Sequence, residues 1–222
     1  MVQTTVFIYT SIQDFVLFFS LLCAVYYSKK ISRTGYLKLF PIYTLISLLV
    51  DLTFYYNKSI GNLEVNIFLF LEFYFFYDFF WKIMDEKKSR NLLIIFSLIY
   101  LILLSVMLSM YLNTYKNYTI YLLLQKRAFV EIMALNNIFI VIPCILYYKS
   151  LFQFPLKKFK ENPIFIIVTG LLIGFSIMIP VDAMFWLIKS HNKNLFLYLY
   201  ILNTIGYVII HYHFIKAYRI LA

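Results

Sequence analysis

Charge is scarce in this chain. Only 14% of its 222 residues are Asp, Glu, Lys or Arg, against roughly 25% in soluble domains. Cysteine is scarcer still. Cys23 and Cys144 both lie in apolar runs, which argues against a disulfide framework and against a cysteine metal site. Histidine is limited to His191, His211 and His213. The i,i+2 spacing of "HYH" turns His211 and His213 toward nearly opposite faces of a helix, so they do not converge as metal ligands must. There is no G-x-S-x-G, no H-E-x-x-H and no P-loop, which leaves no established catalytic motif to follow. No internal repeat and no low-complexity segment interrupts the chain. The N-terminal "MVQTTVFIYTS" has no basic n-region and no A-x-A site follows it, so no cleaved signal peptide is expected.

Apolar surface is plentiful. The chain is 63% hydrophobic with a mean hydropathy of +0.82. A helix needs about 20 mostly apolar residues to cross the hydrocarbon core. Seven stretches meet that need, at roughly 4–27, 37–56, 63–83, 91–112, 129–148, 163–188 and 195–215. The expected fold is an all-α membrane protein, one seven-transmembrane-helix bundle, with nothing left over for a soluble domain.

The basic residues orient that bundle. Fourteen Lys and Arg follow helices 1, 3, 5 and 7, and at most six lie on the opposite face. Lys and Arg accumulate on cytoplasmic loops. The N-terminus is therefore expected outside and the C-terminus in the cytoplasm. The net charge of +10 then reflects topology and not nucleic-acid binding. Tyr26-Tyr27, Tyr55-Tyr56 and Tyr147-Tyr148 fall at helix ends, where amphipathic rings favour the headgroup level.

Ionisable groups inside a membrane are costly and usually face the bundle interior. Asp14, Asp51, Glu72, Glu131 and Asp182 lie in the middle or outer half of five different helices. Helical spacing aligns Thr44, Ser47, Asp51 and Tyr55 on one face, Asp182 with Trp186 on another, and Tyr200, Asn203, Tyr207 and His211 on a third. Gln13 accompanies Asp14. If these faces converge, they form an acidic and aromatic pocket toward the outside. The competing reading is that they bridge helices through hydrogen bonds alone. In "LLLQKRAFVEIM", Arg127 and Glu131 stand four apart and can pair. That stretch is expected to supply a basic rim, with Lys126 and Arg127 at headgroup level and Glu131 facing inward. Asp78 and Lys82 have the same spacing. Gly170-x-x-x-Gly174 permits close backbone approach, and Pro143 and Pro180 can kink their helices.

Two catalogued seven-helix chemistries do not fit. The ceramidase and adiponectin-receptor superfamily carries histidines at i,i+4 on its final helix, and that pattern is absent. A retinal protein needs a lysine in the middle of helix 7, and Lys216 is at its end.

"NIFLFLEFYFFYDFF" with Asn66 and Glu72, "MFWLIKS", and "LNTIGYVIIHYHFIKAY" with Asn203 and Tyr207 resemble small seven-helix inner-membrane proteins of Bacteroidota. Those in turn look similar to the membrane portions of seven-helix sensor kinases. The resemblance implies a bacterial inner-membrane protein linked to histidine-kinase signalling. With the outer polar cluster and the absence of catalytic motifs, the expected function is a non-enzymatic sensor or accessory subunit that signals through a protein partner such as a histidine kinase. The chain departs from sensor kinases in carrying no kinase domain. No cofactor and no metal is expected. An intramembrane enzyme or small-solute carrier using the carboxylates, and a structural subunit of a membrane complex, remain alternatives.

Overall fold

A computed structural model describes residues 2–115, 119–126, 129–153, 159–187 and 193–221. It is all-helical, and no strand occurs among the described residues. Seven long helices stand where the seven apolar stretches are: α1 (Val2–Tyr26), α3 (Phe40–Tyr56), α4 (Lys58–Ile83), α5 (Lys87–Thr114), α7 (Val130–Gln153), α8 (Pro163–Leu187) and α9 (Lys193–Ile220). Two short helices, α2 (Ser28–Arg33) and α6 (Ile120–Lys126), and a 3₁₀ turn at Phe159–Glu161 were not expected from the sequence. Four helical segments are long and apolar enough to cross a membrane: Ile8–Tyr26, Lys87–Thr114, Glu131–Leu151 and Pro163–Phe185. Phe40–Phe54 is a shorter apolar helix.

Local chemistry sets the helix starts. Pro41 sits in the first turn of α3, where a missing N–H costs little. Asn57 caps α4, its Oδ1 accepting from the Ile60 N–H at 3.3 Å. Asn162 accepts from the Ile164 N–H at 2.9 Å and precedes Pro163, the first residue of α8. Both α7 and α8 run on through their internal prolines.

Six of the long helices close into a ring. Around it, α1 packs on α3, α3 on α4, α4 on α7, α7 on α8, α8 on α9, and α9 returns to α1. Helix α5 lies outside, mainly against α7, and exposes Ile95, Leu98, Ile102, Val106 and Met110. Helix α6 packs on α4.

The α8–α9 seam depends on glycine. A Cβ on Gly174 would lie 2.4 Å from Ile210 Cγ1 and 2.8 Å from the Gly206 carbonyl oxygen. One on Gly170 would lie 2.5 Å from His213 Cβ. Gly170-x-x-x-Gly174 thus serves packing within the chain. Gly61 plays the same part at the α3–α4 turn, where a Cβ would meet Phe54 Cα at 2.3 Å.

One end of the ring interior is filled by aromatic rings. Phe40 contacts Phe75, Phe79 and Phe214 with centroids 5.0, 5.2 and 5.0 Å away. Tyr43 stacks on Phe75 at 4.6 Å, and Phe76 meets Phe175 edge-on at 5.6 Å. Such edge and offset pairs contribute about 0.5–1.5 kcal/mol each beyond their buried area. One expectation for this region changes. Tyr147 is buried and Tyr148 shares a hydrogen bond with Thr169 of α8 at 2.6 Å, so this pair joins helices instead of facing outward. His213 packs on Gly170 and bonds the Ile209 carbonyl of its own helix.

Candidate functional site

The other half of the ring holds a cavity of about 230 Å³. Every ring helix contributes to its wall. Gln13 comes from α1, Ser47, Val50, Asp51 and Phe54 from α3, and Val65, Phe68, Leu69 and Glu72 from α4. Met133 and Asn137 come from α7, Met178 and Asp182 from α8, and Tyr200, Asn203 and Tyr207 from α9. Helix α5 contributes nothing. Its span from Asn91 to Thr114 carries no ionisable group other than tyrosine, in keeping with a helix whose faces meet lipid and other apolar side chains.

The carboxylates are held by neutral donors. Glu72 is 4% exposed, and its two oxygens accept from Tyr43 Oη at 2.7 Å and from Asn136 Nδ2 at 2.8 Å. Tyr43 belongs to the ring cluster below, so Glu72 joins the polar cavity to the aromatic end. Asp182 is 5% exposed, and its Oδ2 accepts from Asn137 Nδ2 at 2.7 Å. Asp51 Oδ2 accepts from Gln13 Nε2 at 3.0 Å. Asp51 lies within electrostatic reach of Glu72, and Glu72 within reach of Asp182. Buried charges normally require partners, and among the described residues the lining includes no Lys, Arg or His.

Some polar atoms of the lining stay unmatched among the described residues. Asp182 Oδ1 and Asp51 Oδ1 accept no hydrogen bond, and the Tyr207 hydroxyl makes none. Asn203 Oδ1 is buried without a partner. Tyr200 shares a hydrogen bond with Thr10 of α1 at 2.8 Å, tying α9 to α1 at the cavity wall.

Five of the nine residues singled out in the sequence therefore meet at one cavity: Asp51, Glu72, Asp182, Asn203 and Tyr207. Asp14 does not line it. Successive residues of a helix point about 100° apart. Gln13 takes the inward position and Asp14 stands beside it, near enough to Asp51 to act on it electrostatically. Glu131 is a second correction. It lines a separate groove with Met107, Met110, Tyr111, Thr114, Ala134 and Ala183, between α5, α7 and α8. The reason is α5 itself, which covers the face of α7 opposite the ring. Arg127 lies outside the described residues, as do the side chains of Lys126 and Trp186. Of the polar stripe on α3, Ser47 and Asp51 reach the cavity, while the hydroxyl of Thr44 bonds back to the Phe40 carbonyl.

Sequence reasoning missed Tyr43, Asn136 and Asn137 as partners of the carboxylates. The adjacent Asn136-Asn137 pair in an otherwise apolar run was the available signal. It also missed α6, which Asn62 and Asn66 hold in place. Asn62 Nδ2 donates to the Gln125 carbonyl at 3.1 Å, and Asn66 Nδ2 to the Leu124 carbonyl at 3.0 Å. Asn66 Oδ1 accepts from the Phe129 N–H at 3.0 Å. His211, the last residue of the α9 stripe, faces Ser20 of α1 at 3.2 Å and not the cavity. Comparison with family models, curated proteins and solved structures finds no match.

Proposed function

We propose that the chain is a seven-span membrane protein, N-terminus outside, that senses a small ligand in this cavity and relays its presence to a protein partner. One observation carries the reading: all six ring helices wall the cavity, while aromatic rings pack the opposite half of the ring. A ligand there touches every helix of the ring and has no obvious route onward. Its binding energy can bias the arrangement of the whole ring, as a relay between two faces requires.

Seven spans accord with the composition of the remaining helices. Helices α4 and α9 are 26 and 28 residues long, enough to cross the bilayer. Their lower apolarity reflects in part Glu72, Tyr200, Asn203 and Tyr207, which face the ring interior, where polar residues in a span are tolerated. The cavity draws on the C-terminal parts of α3 and α8 and the N-terminal parts of α7 and α9. In the seven-span topology these share the Lys/Arg-poor side, which the positive-inside rule places outside.

A photo-crosslinker at the exposed Tyr212 of α9, on the far side from the cavity, tests the relay. The expected result is one discrete adduct with a membrane or cytoplasmic protein such as a histidine kinase, its yield altered by Glu72→Ala or Asp182→Ala. A chain that forms no adduct, and behaves as wild type with either substitution, would refute the relay. Three carboxylates on one cavity favour a second reading, an intramembrane enzyme or small-solute carrier. Substrate turnover or solute flux in proteoliposomes that is lost on Glu72→Gln would put it first.

A further inference from the structure

We infer that the cavity binds a small organic ammonium ion, a primary amine on an apolar body. This deepens the ligand-sensing reading and rests on it. The charge balance is the first ground. Asp51, Glu72 and Asp182 line one cavity to which no cationic side chain contributes among the described residues. In surroundings of low polarity, a cation is the group that such a wall lacks.

The unmatched atoms are the second and independent ground. Asp182 is 5% exposed, lines the cavity, and leaves Oδ1 without a hydrogen bond among the described residues. Asp51 Oδ1 and Asn203 Oδ1 are in the same condition. All three are acceptors. An ammonium group brings three donors and a positive charge, and so complements them where a carboxylate or phosphate would not. Glu72, with both oxygens already engaged by Tyr43 and Asn136, supplies background charge.

The third ground separates an organic cation from a metal ion. Hard cations gather six or more oxygens at one point. Among the described residues, no three carboxylate, histidine or cysteine side chains group closely enough to hold a metal. Between the carboxylates the wall is apolar and aromatic, with Phe54, Phe68, Leu69 and Met178. Aromatic faces attract a desolvated ammonium, and the apolar wall takes the hydrocarbon body. At about 230 Å³ the space falls below the roughly 300–1,000 Å³ of drug-sized sites, so the body is short.

Calorimetric titration of the full chain in nanodiscs tests this, with butylamine and phenethylamine as probes. Butanol and 2-phenylethanol serve as neutral counterparts, and sodium and calcium chloride as inorganic cations. The expected result is saturable binding of at least one amine, no binding of its alcohol, and binding weakened about tenfold or more by Asp182→Asn and by Asp51→Asn. Glu131→Gln, in the separate groove, leaves binding unchanged. Absence of amine binding, equal binding of the alcohols, or equal displacement by sodium or calcium overturns the inference. Binding that survives both aspartate substitutions overturns it as well. Nanodiscs expose both faces, so failure here counts against the ligand class. The outward orientation is tested separately by sided labelling.

Discussion

Gly174→Ala should loosen the α8–α9 seam and with it the cavity wall. The new Cβ would sit 2.4 Å from Ile210 Cγ1 and 2.8 Å from the Gly206 carbonyl oxygen. Ordinary contact begins near 3.4 Å. The side chain of Ile210 can rotate, but the carbonyl is backbone and cannot. Either the helices part by several tenths of an ångström or Ile210 and the seam distort together. A gap of about 0.5–1 Å forfeits a quarter to a half of each dispersion contact it touches. Overpacking of this kind costs about 1–3 kcal/mol, and better helix propensity returns about 0.5–1 kcal/mol. The clash with backbone puts the overpacking cost in the upper part of its range, about 2–3 kcal/mol, so the net expectation is a loss of about 1–2.5 kcal/mol. Gly35→Ala is the control, because a Cβ there meets nothing within 4 Å. Reversible unfolding in mixed micelles, followed by circular dichroism, measures both. Equal stability of Gly174→Ala and Gly35→Ala would refute the close α8–α9 crossing that brings Asp182, Asn203 and Tyr207 to one wall.

Three further outcomes follow from the hydrogen-bond pattern. Glu72→Leu should destabilise by about 2–4 kcal/mol, since it leaves the buried Tyr43 hydroxyl and Asn136 amide unpaired; adding Tyr43→Phe and Asn136→Leu should recover part of the loss, and additive losses in the same micelle assay would contradict the shared network. Asn66→Ala removes both bonds at the α6–α7 junction, so hydrogen exchange at the Phe129 amide should quicken by tenfold or more while amides in the middle of α8 hold, whereas unchanged exchange at Phe129 would contradict the clamp. Asp78→Ala breaks an ion pair whose two side chains are 44% and 39% exposed, so its cost should stay below about 0.5 kcal/mol, and a larger loss of micelle stability would show that Asp78 has a further partner.

The long helices were legible because a long apolar helix declares itself by length and composition, without help from distant residues. Seven stretches read from composition became seven helices with ends displaced by only a few residues. The cavity was half legible for a related reason. A carboxylate in an apolar run is conspicuous, and Asp51, Glu72 and Asp182 drew attention on that ground alone. What partners them was not, since asparagine and tyrosine are abundant throughout the chain and only packing selects Tyr43, Asn136 and Asn137. Glu131 misled because its surroundings depend on where α5 lies, and an apolar helix leaves no mark in sequence of the neighbour it will cover. Gln13 displaced Asp14 through a single step of helix rotation, finer than any periodicity argument resolves. Helix α6 is seven residues long, too short for its pattern to stand out from the loop around it. It is positioned by Asn62 and Asn66, some sixty residues earlier in the chain.

Sided thiol labelling tests most directly whether the cavity faces outward in a seven-span protein. Ser59→Cys, at the start of α4, and Lys88→Cys, at the start of α5, are made one at a time with Cys23 and Cys144 replaced by serine. Both positions are exposed and lie at opposite ends of α4. A membrane-impermeant maleimide applied to intact spheroplasts is predicted to label Ser59→Cys at once and Lys88→Cys only after permeabilisation. The reverse pattern, or labelling of both from one side, would contradict the proposed orientation of the cavity.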